Sequence, residues 1–121
     1  MKKLTKTAFC ERTINTVRGT DIIDAGPEEV CAYIYDFCSR DRLRFSRELG
    51  HPARLIITND GRQQLVASVK RVRWPFNNRE FVTQMFWWKD NIDGSHYVGV
   101  VSIEEDIDYG NSMKMVRGYA I

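Results

Sequence analysis

Apolar and polar residues follow two rhythms along this chain, and the change falls near Ala53. Before it, Val30, Ile34, Phe37 and Cys38 recur at i, i+4, i+7 and i+8, with Tyr33 widening the stripe, which is the spacing of one helix face. Gly26-Pro27-Glu28-Glu29 supplies the start, because Pro suits the first helical position and two acids favour the positive end of the helix dipole. This helix is expected to end near Ser39. A second short helix is expected over residues 40–50, closed by Gly50 and kept from continuing by Pro52. Ahead of them, residues 17–24 are dominated by β-branched side chains and predict a strand. Residues 5–16, with Phe9 and Ile14, read as a strand or extended arm.

From Ala53 onward the chain reads as strands and turns. Residues 54–58 and 62–73 are expected as a hairpin around Asn59-Asp60-Gly61, where Asp-Gly suits the positive φ that a tight turn needs. Residues 79–89 and 95–105 are expected as the next pair, joined by Asp90-Asn91-Ile92-Asp93-Gly94, and residues 112–121 as the last strand. Early helices followed by consecutive strands predict an α+β domain with a curved antiparallel sheet. On strand parity Phe81, Thr83, Met85 and Trp87 share one face. Tyr97, Gly99, Val101 and Ile103 share a face of the following strand. Bulky residues occupy both parities of residues 81–88, so Phe86 and Trp88 are expected to form an exposed patch through which the chain could self-associate.

Composition narrows the class. A 121-residue chain predicts one domain with a modest core, and 43% hydrophobic with 28% charged residues is ordinary for a globular protein. A net charge of +2 gives no reason to expect nucleic acid. No apolar run is long enough to span a bilayer, and Met1-Lys2-Lys3-Leu4-Thr5-Lys6 leads into no apolar stretch, so a cytoplasmic protein without a signal peptide is expected. Cys10, Cys31 and Cys38 match no zinc spacing. Cys31 and Cys38 are expected as small buried hydrophobes on one helix face, two turns apart and out of disulfide reach. His51 and His96 have no nucleophile or carboxylate placed beside them by sequence. The acidic run at Glu104, Glu105, Asp106 and Asp108 lacks the Gly and spacing of a calcium loop. Neither catalysis, a metal nor a cofactor is expected.

The most specific segment is Trp74-Pro75-Phe76-Asn77-Asn78-Arg79-Glu80-Phe81-Val82. Pro75 stops the preceding strand and biases Trp74 toward an extended conformation, the asparagines suit a turn, and a new strand opens at Arg79. This segment resembles the Pro-containing loop and R-[DE]-[FY]-V strand of START domains, the lipid-transfer domains of the helix-grip class. Residues 17–24 running into Pro27-Glu28-Glu29-Val30 are similar to that family's strand feeding a Pro-started helix, and Met115-Val116-Arg117-Gly118-Tyr119 resembles its V-R-G strand. The three pieces occur in the family's order over residues 17–121, within a single domain spanning residues 1–121. Members continue past the V-R-G strand into a further strand and a long C-terminal helix, so the resemblance implies a domain truncated at its C-terminus.

The resemblance implies non-catalytic binding, and in some members transfer, of a lipid or other hydrophobic ligand in a cavity between sheet and helices. A regulatory or protein-interaction module that kept the fold and lost the cavity is the alternative. The implied cavity residues are Phe81, Thr83, Met85, Trp87, Tyr97 and Val101. The family's basic cavity position falls at Met85, so its acid–base pair is not carried over, and Arg117 becomes the replacement for selecting a headgroup. Arg79 and Glu80 match the motif and are expected to be structural, with Arg79 bonding loop carbonyls. Trp74 and Phe76 suit a cavity mouth or a peripheral membrane contact. Arg42 and Arg44, in a stretch with four arginines within eight residues, read as a solvated face or a patch for anionic headgroups.

Overall fold

The computed structural model describes residues 2–9 and 12–119, and the side chains of residues 16–119. β1 (Lys2–Phe9) and β2 (Arg12–Gly19) form an antiparallel hairpin that pairs with no other strand among the described residues. The strand expected over residues 17–24 therefore ends at Gly19, and Ile22 and Ile23 lie exposed beyond it. Cys10 lies outside the described residues, as do the side chains of Phe9 and Ile14.

Two helices follow. In α1 (Pro27–Tyr35) Pro27 occupies the first turn beside Glu28 and Glu29, as the local chemistry predicts. The helix stops at Asp36 rather than near Ser39, because Ser39 serves the next helix: its hydroxyl accepts the Arg42 N–H at 3.3 Å and caps α2 (Arg40–Glu48). Phe37 and Cys38 therefore sit in the inter-helix turn, and Cys31 and Cys38 do not share a helix face. Gly50, at φ +74°, closes α2 and donates its N–H to the Arg47 carbonyl at 2.9 Å.

The main sheet holds β3 (Ala53–Asn59), β4 (Gln63–Lys70), β5 (Asn78–Lys89) and β6 (His96–Ser102) as an antiparallel meander. Asp60 and Gly61 (φ +93°) make the β3–β4 turn, where the Asp60 carboxylate accepts the N–H groups of Arg62 and Gln63. The last strand departs from expectation. Among the described residues of that segment only β7 (Met115–Arg117) forms, and it runs parallel to the start of β5, with Arg79 opposite Val116 and Glu80 opposite Arg117. Residues 103–114 make that reversal of direction by crossing back over the sheet.

This crossing completes the core. β4 is buried on both faces from Gln64 to Val69. Leu65, Ala67 and Val82 lie on the face packed by Leu55, Ile103, Ile107 and Tyr109. The opposite face carries Gln64, Val66, Ser68, Thr83 and Met85 and receives α1, through its contacts with β5 and β6. The observed class is α+β, with two short helices between the first hairpin and the meander.

Candidate functional site

Gln64 fixes how α1 lies on the sheet. Its side chain is 1% exposed, and its amide donates to the Tyr35 carbonyl in the last turn of α1 while touching Met85 Sδ at 3.2 Å. The Tyr35 hydroxyl reaches Asn59 Oδ1 at 3.2 Å. These tethers set the helix rotation, and the face turned to the sheet is Glu28, Cys31, Ala32 and Tyr35, at i, i+3, i+4 and i+7. The stripe expected from sequence points elsewhere: Ile34 is 41% and Tyr33 63% exposed.

Small side chains at 31 and 32 leave space between helix and sheet. A cleft of about 470 Å³ lies there, lined by Glu28, Cys31, Ala32 and Tyr35 of α1, Trp87 and Lys89 of β5, and His96 of β6. Lys89 and His96 are directly opposed across the strands, so both reach the same end. The walls are apolar and the rim polar, the usual arrangement of a small-molecule site, and the volume lies in the lower half of the ~300–1,000 Å³ such sites span. Trp87 is held in place by its indole N–H, which donates to the Gly61 carbonyl at 2.7 Å, and by the Arg62 guanidinium 5.3 Å from its ring centre. His96 Nδ1 is buried without a hydrogen-bond partner. Burial raises the Cys31 thiol above its ordinary value, so it stays protonated at neutral pH and is a poor nucleophile. Burial, then the Asp60 charge, also raises the Tyr35 hydroxyl.

Of the cavity residues expected from sequence, the cleft receives Trp87. Phe81, Thr83 and Met85 do lie on the helix-facing side, but they serve packing: Thr83 and Met85 are buried, and the Phe81 ring lies against Gly118. Tyr97 and Val101 are on the opposite face, because the register sets Trp88 against Tyr97 and Gln84 against Val101. On that face the Phe86, Trp88 and Tyr97 rings stack, with centroids 5.6 and 5.0 Å apart, and Trp88, Tyr97 and Val101 are each more than 40% exposed.

Arg117 is also away from the cleft. It donates Nε to Glu80 Oε1 at 2.7 Å and its remaining nitrogens to the carbonyls of Ile103 and Glu105, while the Tyr109 hydroxyl donates to Glu80 Oε2 at 2.6 Å. Glu80 is thus buried and bonded on both carboxylate oxygens. Arg79 is exposed, and the Trp74–Phe76 loop, which has a cis Trp74–Pro75 bond, is braced instead by Asn78 Oδ1 accepting the Val72 N–H. Arg42 is taken up in closing α1, donating to the carbonyls of Tyr33, Ile34 and Asp36. Arg44 is exposed and pairs with Asp41 at 3.3 Å. Trp74 and Phe76 project into solvent, 89% and 65% exposed.

Glu28, Cys31, Ala32, Tyr35, Lys89 and His96 were not singled out as ligand residues from sequence. The i, i+3, i+4, i+7 set on α1 was the available signal, hidden by the more apolar neighbouring stripe. Among the described residues, no three His, Cys, Asp or Glu side chains are grouped to hold a metal ion, and no helix is long and apolar enough to cross a membrane. Comparison with family models, curated proteins and solved structures finds no match to this chain.

Proposed function

We propose that this chain is a START-like helix-grip domain that binds a small hydrophobic molecule between α1 and the β5–β6 hairpin, without covalent chemistry. The observation that carries the reading is the apolar cleft beneath Cys31, Ala32 and Tyr35, with Trp87 as its floor and an unpartnered His96 nitrogen. Apolar surface leaving water stabilises a complex by ~25 cal/mol per Å², so the walls supply affinity. Lys89 and His96, with Glu28 across from them, would select an acidic or hydrogen-bonding head. The packing of α1 on one sheet face and the Trp-Pro loop between β4 and β5 support the family reading, while the parallel β7 departs from it. The cytoplasmic location expected from the N-terminal sequence belongs to the same proposal.

The test is native mass spectrometry of the purified chain with organic extraction, followed by fluorescence titration of a single-chain fatty-acid probe. An Ala32→Trp variant fills the cleft from the helix side and should weaken probe binding at least about tenfold with the fold intact. Equal affinity in the variant would sink the reading. The second reading, an interaction module, is favoured by the stack of exposed Trp88 and Tyr97 on a half-buried Phe86. It predicts a concentration-dependent dimer that Trp88→Ser abolishes.

A further inference from the structure

The hairpin joining β4 to β5 ends in a tip that combines exposed aromatic rings with basic side chains. Trp74 and Phe76 stand 89% and 65% exposed on either side of Pro75. Lys70, Arg71, Arg73 and Arg79 flank them, all exposed, and residues 70–79 contain no acid. Four cations thus gather on one hairpin end in a chain whose net charge is only +2. Lys70 and Arg79 are directly opposed on neighbouring strands, so two like charges share one face, a destabilising arrangement unless an anion lies between or beside them. The nearest carboxylate along the chain, Glu80, is buried and committed to Arg117 and Tyr109.

We propose that this tip docks on an anionic lipid surface, with Trp74 and Phe76 entering the interfacial layer and Lys70, Arg71, Arg73 and Arg79 meeting headgroup phosphates and carboxylates. Amphipathic aromatics favour the membrane–water interface, and basic residues near an anionic leaflet add to the attraction. The arrangement fits a planar partner: the aromatics are foremost and the cations stand behind them. A single-stranded nucleic acid instead needs a basic groove with several stacking platforms along it, and here both aromatics occupy one tip. The proposal does not depend on the cleft, which lies between α1 and the far end of β5.

Cosedimentation with vesicles tests it, comparing phosphatidylcholine alone with phosphatidylcholine mixed with phosphatidylserine. The intact chain should bind the mixed vesicles, release as salt rises, and leave the neutral ones in solution. Arg73→Ser with Arg79→Ser should lower partitioning by about 25-fold, roughly fivefold for each charge. Trp74→Ser with Phe76→Ser should abolish it. These positions are exposed, and removing Arg79 relieves its repulsion from Lys70, so folding is retained. A Trp74→Phe variant gives an independent readout: the emission blue shift seen on mixed vesicles should vanish, because Trp87 and Trp88 stay in place. Equal binding to neutral vesicles, partitioning unchanged in the double variants, or a single-stranded RNA that binds through this tip while vesicles do not, would each overturn the proposal.

Discussion

Glu80 Oε1 lies 2.7 Å from Arg117 Nε, and this ion pair fastens β7 to the opening residues of β5. Both side chains are largely buried, at 9% and 19% exposure, and Arg117 also grips the carbonyls of Ile103 and Glu105. One pair thus holds both the return segment and the strand it leads to. Removing one member of such a pair strands the other without compensation, which typically costs about 3–5 kcal/mol. Glu80→Ala should lower unfolding stability by about that much in urea denaturation, and Arg117→Ala by a similar amount. A double variant should lose less than the sum, since each single variant already forfeits the shared interaction. Strict additivity would show that the two side chains are energetically independent.

The Phe86 ring occupies the space beside Gly99 across the β5–β6 pair, and a Cβ at position 99 would collide with it. Gly99→Ala should therefore destabilise by about 1–3 kcal/mol, the usual cost of forcing atoms into packed space. Phe86→Leu should recover part of that loss in the double variant, measured by thermal melts of all four proteins. No recovery would mean that the cost comes from the strand backbone and not from the ring.

The helix starts and hairpin turns were legible because they are written in local chemistry. Gly26-Pro27-Glu28-Glu29 opens α1, Gly50 closes α2, and Asp60-Gly61 turns the chain between β3 and β4. What was not legible depends on contacts between distant residues. Helix α1 faces the sheet with Cys31 and Tyr35 because Gln64, 29 residues beyond Tyr35, holds its last turn. Residues 112–121 were expected as one long antiparallel strand. The described ones among them give three residues of parallel strand because Glu80, 37 residues before Arg117, captures the chain there. Tyr97 and Val101 were grouped with Trp87 because each strand's parity is readable alone, whereas the offset across the 90–95 turn is set by pairing. The cleft joins Glu28 to His96, and no short window of sequence contains both.

His51 makes folding sensitive to acid. Its Nδ1 accepts the Arg71 N–H at 3.0 Å, which requires the unprotonated nitrogen. Burial, then Lys70, Arg71 and Arg54, hold its folded-state value below the ordinary 6.5. With the folded value depressed, the unfolded chain takes up the proton first as pH falls. The contribution is therefore complete above about 6.5 and declines as pH drops from there through the folded value. Urea midpoints should fall between pH 7 and pH 5, by less in His51→Asn, whose side-chain oxygen can accept the same N–H without titrating in this range. The same pH slope in wild type and variant would remove His51 from the account.

Cys31 reports on the cleft directly. It is 8% exposed, and its thiol is shifted up by burial, so it should resist alkylation at neutral pH while the protein is folded. The reaction is followed by peptide mass spectrometry, which reads each cysteine separately. Native Cys31 should react far more slowly than in urea. Because Cys31 lines the cleft with Ala32 and Trp87, a molecule seated there should slow it further. A saturating single-chain fatty acid should reduce the Cys31 rate at least about tenfold. Cys38, whose thiol donates to the Arg54 carbonyl away from the cleft, provides the internal control and should keep its rate. Equal slowing at both cysteines would indicate general stabilisation of the fold, and an unchanged Cys31 rate under saturation would place the fatty acid somewhere other than beneath α1.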